Sequence, residues 1–225
     1  MSLAMKLREG TSKNHDEAES VGFIKCFRKG VLERDTYVRH LEAFYAVYGA
    51  MESAMDANKT HPVVSKIYFP ELYRTKMIEQ DLAFYHGPDW KSKISTTEAT
   101  QAYVNHIQKI SKENPTLLVA HSYVRYLGDL SGGQILKKVA ARALGLTGTE
   151  GVAFYEFPEI TTPNEFKKMY REALDSLGLS ESDQEAVLEE ARKVFDLNKE
   201  IFLELEDDLI ANIGKDRFDS ILAAS

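Results

Sequence analysis

Apolar residues recur at intervals of three and four along most of this chain, the spacing that lines one face of an α-helix. Ala4, Leu7, Thr11, His15 and Ala18 fall on one face of a predicted first helix. Residues 23–29 give a short second helix closed by Gly30, a residue suited to the left-handed position after a helix. Residues 35–58 form a long amphipathic segment with Leu41, Phe44, Tyr45, Tyr48 and Met51 turned inward. Pro62 reads as the first position of a further helix, which Phe69-Pro70 ends before another runs over 71–85. Helices follow over 97–112 and 115–143, then an irregular stretch over 144–163 with three glycines and two prolines. The pattern resumes over 164–177 and 180–213, where Ser180 and Asp183 have the spacing of a capped start. No alternating β-branched run, hairpin dipeptide or internal repeat interrupts this. The expected fold is all-α, a single-domain helical bundle over residues 1–225 whose last roughly ten residues form a loose tail.

The segment over 115–143 is helical on both sides of a defect. Leu117, Ala120, Tyr123, Val124 and Leu127 are periodic, as are Ile135, Leu136, Val139 and Leu144, but Gly128, Gly132 and Gly133 lie between them. Each glycine costs about 1 kcal/mol against alanine in a helix interior. Three so close together mark either a plain kink or loop, or a place where backbone lies flat against a planar ligand. Asp129 sits within the defect and Arg125 one turn earlier, a small polar cluster in an apolar setting. Leu130 to Gln134 also spells LSGGQ, a signature of ABC-type ATPases. That motif works beside a phosphate-binding GxxxxGK[ST] loop, which this chain lacks, so an ABC-type ATPase is not expected.

Charge narrows the classes further. The 225 residues carry 35 acidic and 28 basic side chains, for a net charge of -7, and an acidic chain gains nothing from counterion release on nucleic acid. Acid concentrates over 181–208, while Lys6, Arg8, Lys13, Lys25, Arg28 and Lys29 make the N-terminal end basic, suited to an anionic ligand or an acidic partner protein. A single cysteine, Cys26, rules out an internal disulfide, a CxxC zinc site and a CxxCH heme attachment, and suits a reducing compartment. No signal peptide or membrane anchor is expected, since no uncharged apolar run approaches the roughly 18 residues a membrane helix needs.

None of the six histidines has a glutamate three residues before it, and none forms HExxH, so di-iron and zincin patterns are absent. A site with one histidine suits heme better than a bare ion. His15 is the best placed, on the apolar stripe of the first helix; the competing reading is a core histidine bonded to a backbone carbonyl. Glu19, one turn on, is placed to accept its second ring proton. Arg8, two turns back, and Lys167 and Arg171, spaced i to i+4, are placed for carboxylates at a ligand edge, or else for solvent.

These residues bring a family into view. The run over 117–138, with HSYVRYLGDLSGGQILKK at its centre, resembles the signature helix of heme oxygenases. LREGTSKNHDEAE resembles their proximal helix, and IYFPEL, FYEFP and FKKMYR are similar to further family segments in the same order, so the likeness spans nearly the whole chain. Its wording is most similar to bacterial, cyanobacterial and plastid-type members. The resemblance implies that heme b is both substrate and cofactor, held between the proximal N-terminal helix and the Gly-kinked distal helix, with no dissociable nucleotide cofactor. It implies His15 as axial ligand to the iron and Glu19 as its hydrogen-bond partner. Gly128, Gly132 and Gly133 would lie over the heme. Asp129 would order distal water, with Arg125 and Tyr48 in the same network, making Asp129, Arg125, Tyr48 and Gly128 the catalytic set. Arg8, Tyr123, Lys167 and Arg171 would serve the propionates, and Phe195 and Asn198 the pocket. The family often has lysine at Arg8 and threonine at Val124. The implied reaction opens heme at the α-meso carbon to biliverdin IXα, carbon monoxide and ferrous iron. It would use dioxygen and an electron-donor protein, ferredoxin or alternatively a flavin reductase, in the cytoplasm or in a plastid stroma after removal of a transit peptide. A heme carrier without turnover would keep His15 but have no use for Asp129, and a silent bilin-binding relative would be expected to lack His15.

Overall fold

The computed structural model describes residues 1–224, and among them there are eleven α-helices and no strand. Helices α1 (Leu3–Gly10), α2 (Ser12–Glu19) and α3 (Gly22–Arg28) lead into the long α4 (Arg34–Ala57). Then come α5 (Thr75–His86), α6 (Glu98–Glu113), α7 (Leu118–Asp129) and α8 (Gly132–Ala143). After the irregular stretch, α9 (Pro163–Asp175), the 33-residue α10 (Glu181–Ile213) and α11 (Lys215–Ala223) complete the chain. Helix α10 is the spine, with α2, α3, α6 and α7 all packed along it. No helix is long and apolar enough to cross a membrane.

The caps follow the local sequence. The Ser180 hydroxyl accepts from the Asp183 N–H at 3.1 Å and starts α10, and Thr97 caps α6 in the same way. Gly30 ends α3 at φ 79° and Gly214 separates α10 from α11 at φ 85°, conformations that favour glycine. Three expectations need correction. The predicted first helix is two, because Thr11 leaves helical geometry and its hydroxyl donates back to the Leu7 carbonyl at 2.7 Å. No α-helix starts at Pro62: a turn leads to 3₁₀ segments Val64–Ile67 and Pro70–Leu72, and α5 begins at Thr75 rather than 71. The buried Glu52 carboxylate fixes that start by accepting from the backbone N–H groups of Arg74 and Thr75. The expected loose tail is instead α11, held by Phe218, which is 2% exposed and lies where a side chain at Gly22 of α3 would be.

The glycine-rich defect is a true break. Helix α7 stops at Asp129, Ser131 adopts φ −120° and ψ −88°, and α8 restarts at Gly132. It places two helix ends, rather than one continuous surface, opposite α2.

Candidate active site

A cavity of about 1010 Å³ opens between α1–α2, the α7–α8 break and α10, at the upper end of the range for small-molecule sites. Its walls differ in chemistry. Arg8 and Arg171 stand at the α1–α9 side with Tyr123; His15 and Glu19 come from α2; Gly128, Asp129, Gly132 and Gly133 come from the break; Phe195 and Asn198 come from α10. The α3–α4 side is apolar and aromatic, with Ile24, Phe27, Phe44, Phe154 and Phe202, and one polar exception, His40.

The glycines shape the wall by what they lack. A Cβ placed on Gly128 or Gly132 would meet nothing within 4 Å, so both present bare backbone to open space. At Gly133 a Cβ would come to 3.4 Å from the Tyr155 ring, so this residue serves packing behind the wall. None of the three has a positive φ. They are needed for close approach and not for an unusual backbone, and side chains at 128 or 132 would narrow the slot a flat ligand must enter.

Beside that backbone lies a buried polar network. The Tyr48 hydroxyl donates to Asp129 and accepts from Arg125 Nη2 at 2.8 Å and Nε at 3.0 Å. Arg125 Nη1 donates to Asn198 Oδ1 at 2.6 Å, and Asn198 Nδ2 donates to the Val194 carbonyl at 2.7 Å. Tyr48 lies behind the cavity wall and Asp129 forms part of it. Burial pushes the Asp129 carboxyl above its ordinary value, against the opposing pull of Arg125 and of the Tyr48 hydrogen bond. Burial works against the Arg125 charge too, but Tyr48 and Asp129 outweigh it and hold the guanidinium firmly protonated. One carboxylate edge is therefore fixed by protein donors while the group faces the cavity, an arrangement suited to hold water on the open side.

The segment after α8 backs this wall. Asp81 on α5 accepts from the backbone N–H groups of Ala153 at 2.8 Å and Phe154 at 2.7 Å. Arg74 donates to the Phe154 carbonyl at 3.3 Å and to the Glu156 carbonyl, and stacks 3.6 Å over the Phe157 ring. Both residues are buried, and nothing in the sequence pattern had marked them; Asp-to-backbone anchoring across 72 residues leaves no local signal.

The histidines now separate. His86 pairs with Glu42 at 2.8 Å, and His106 and His121 share one oxygen of Glu190 at 2.6 and 2.8 Å. His61 Nδ1 accepts from the Val63 N–H at 3.3 Å, and His40 is enclosed by aromatic rings. His15 alone combines a 54% exposed side chain with a place on the cavity wall, where its edge meets Phe195 at 5.9 Å. Glu19 is near but not bonded, at 3.7 Å from Nε2, and its carboxylate instead accepts from Arg28 at 2.7 Å. Lys167 does not line the cavity; its ammonium lies at 3.4 Å from the hydroxyl of Ser131, which does. The other residues proposed from the sequence come together there, with Tyr48 one layer behind.

The residues present fit heme. The cavity supplies apolar walls, a face without side chains, an unengaged imidazole and two cations at one side.

Comparison with known proteins points the same way. The heme oxygenase family model matches residues 1–204. The chain is 48% identical to heme oxygenase 1 of Nostoc over 219 residues, 97% of this chain and 92% of that protein. Among solved structures, heme oxygenase-1 of Synechocystis in complex with heme matches with a TM-score of 0.93 at 48% identity, covering 98% of this chain and all of that one. The heme oxygenase of Leptospira interrogans matches with a TM-score of 0.88 at 56% identity, covering 91% of this chain and 100% of that one. By sequence, by the match across almost its full length and by fold, the chain belongs to the heme oxygenase family.

Proposed function

We infer that this chain is a heme oxygenase that cleaves heme b at the α-meso carbon to biliverdin IXα, carbon monoxide and ferrous iron. The observation that carries the reading is one cavity flanked by an unengaged His15, bare backbone at Gly128 and Gly132, and the braced carboxylate of Asp129. When bound, heme supplies both the iron that activates dioxygen and the carbon that is oxidised. His15 supplies the axial imidazole. Glu19 and Arg28 form an ion pair one turn away that keeps anionic charge near that ring. The glycine face admits the macrocycle at van der Waals distance and leaves room for dioxygen. Asp129, held by Tyr48 and Arg125, orders water that delivers a hydrogen bond and a proton on that face. A proton delivered through water held by Asp129 would be gentler than one from a histidine placed directly on this face, which suits oxidation of the ring carbon. A heme carrier without turnover would need the first two features and not the third.

The electron donor we assign is a ferredoxin, an acidic one-electron carrier suited to the basic N-terminal end; a flavin reductase is the alternative class. Hemin added to the protein under air with a reductant should lose its Soret absorption as a bilin band grows. A stable Soret band through repeated reduction would leave only heme binding.

Arg8 and Arg171 line the cavity, both charges acting on Tyr123, and Lys167 approaches its edge at Ser131. We assign Arg8, Lys167 and Arg171 to the propionates, because paired cations are the chemistry that holds two carboxylates. Replacing Lys167 and Arg171 together with alanine should weaken heme binding by about tenfold, the scale of one lost charge-assisted hydrogen bond. With the ring less well anchored, biliverdin isomers other than IXα should appear in the product. Unchanged affinity and pure IXα product would reduce this pair to a solvated basic face.

A further inference from the structure

His40 is the one polar side chain at the aromatic side of the cavity, and the reading above gives it no task. It lies on α4 one turn before Phe44, 3% exposed, and it borders the cavity. Five rings surround it. Phe44 lies at 4.0 Å between centroids, Phe23 at 5.8 Å, Tyr37 at 6.2 Å, and Phe27 and Phe202 at 6.3 Å. Burial, assisted by the charge of Arg125, drives the imidazole down to about 3, so near neutrality it is uncharged. A neutral imidazole has one N–H to donate and one lone pair to offer. Its Nδ1 is shut in without a partner, and no hydrogen bond to protein engages its other nitrogen. A carboxylate engages one ring nitrogen of His86, of His106 and of His121, although His121 Nδ1 is also without a partner; at His40 no carboxylate engages either nitrogen, and aromatic rings surround the imidazole.

A buried polar group is ordinarily met by protein or by ordered water, and an apolar chamber without such a group stays dry. Because the imidazole borders the cavity, a small molecule held there is the partner within reach. We propose that His40 is a binding residue for water at the aromatic side of the cavity, keeping that side hydrated and closed to apolar gases. The ligand class is a small neutral molecule that both donates and accepts hydrogen bonds. The consequence bears on the reaction, which consumes one apolar gas and releases another. A dry aromatic cage beside the site would store dioxygen or carbon monoxide, whereas a hydrated one favours their passage to solvent. Phe44 joins the two regions, because the Arg125 guanidinium lies 4.1 Å from the same ring that His40 packs against.

The inference rests on heme filling the rest of the cavity, so the test uses the heme complex. Crystals of the wild type and of His40→Leu and His40→Gln are pressurised with xenon, a probe for dry apolar space. The wild type should show water within about 3 Å of His40 Nε2, the nitrogen that is not shut in, and no xenon among Phe27, Phe44 and Phe202. His40→Leu should lose the water and take up xenon, and His40→Gln should keep the water and exclude xenon. In solution, photolysis of carbon monoxide from the ferrous complex should give a geminate fraction at least twofold higher in His40→Leu, restored to the wild-type value in His40→Gln. Xenon in the wild-type cage, or geminate fractions equal in all three proteins, would overturn the proposal. Each complex is first checked for its Soret position. A wrong axial assignment for His15 would show there in every protein and would leave the contrast between the three side chains standing.

Discussion

His15→Ala is expected to fold as the wild type does and to lose the axial ligand. The side chain is half exposed and its ring contact is a single edge against Phe195, so truncation leaves little cavity in the core. Melting temperature should therefore hardly move. Heme should still enter, because the apolar walls, the glycine face and Arg8 and Arg171 are untouched. The ferric spectrum should lose its histidine-ligated character, and added imidazole should restore it by filling the space left behind. Loss of even an outer partner of a metal ligand costs about 10–100-fold in activity or metal affinity, so turnover with a protein donor should fall at least about 100-fold. His121→Ala is the informative contrast. It breaks a buried pairing with Glu190 and should lower the melting temperature without altering the axial spectrum. If His121→Ala removed the histidine signature and His15→Ala kept it, the ligand assignment would be wrong.

The histidines also show what the sequence could and could not tell. The place of His15 on the cavity wall was legible because periodicity put it on an apolar face while Arg8 and Glu19 shared its surroundings. The likeness to known heme oxygenases extended that to Asp129, Arg125 and Tyr48, and the structure joins these three through one hydroxyl. The partner of Glu19 was not legible: proximity by one helical turn suggested His15, but Arg28 on α3 reaches its carboxylate by folding back across the α2–α3 turn. The division of α1 from α2 depends on a single residue, Thr11, whose effect on a helix is weaker than the periodicity on either side, whereas the glycines between α7 and α8 had already marked a defect there. α11 was missed because nine residues carry too little pattern, and Phe218 gains its burial from distant Gly22. His40 looked like any other residue on an amphipathic helix. Only the assembled cage shows that its nitrogens face rings instead of a carboxylate.

Asp129→Ala separates catalysis from binding. The carboxylate is buried, faces the cavity, and is braced by Tyr48 and Arg125, so its removal takes away the group proposed to order water over the heme. Heme affinity and the axial spectrum should stay close to wild type, because His15 and the cationic side of the cavity do not depend on it. Loss of one preorganised hydrogen-bonding group at a reacting oxygen costs about 10²–10³ in rate, and the yield of biliverdin should fall on that scale. The oxidising power should then appear elsewhere. With hydrogen peroxide the variant should oxidise an added phenol such as guaiacol, a peroxidase-type activity that the wild type should not show. Arg125 would also be left buried with fewer anionic neighbours, so the alanine variant should melt lower. Asp129→Asn controls for this by retaining size and polarity: it should melt nearer the wild type, yet remain impaired, because an amide accepts the Tyr48 hydrogen bond without carrying charge. A normal yield of biliverdin from Asp129→Ala, with no oxidation of guaiacol, would show that the water on this face is ordered by Arg125 and Tyr48 without the carboxylate.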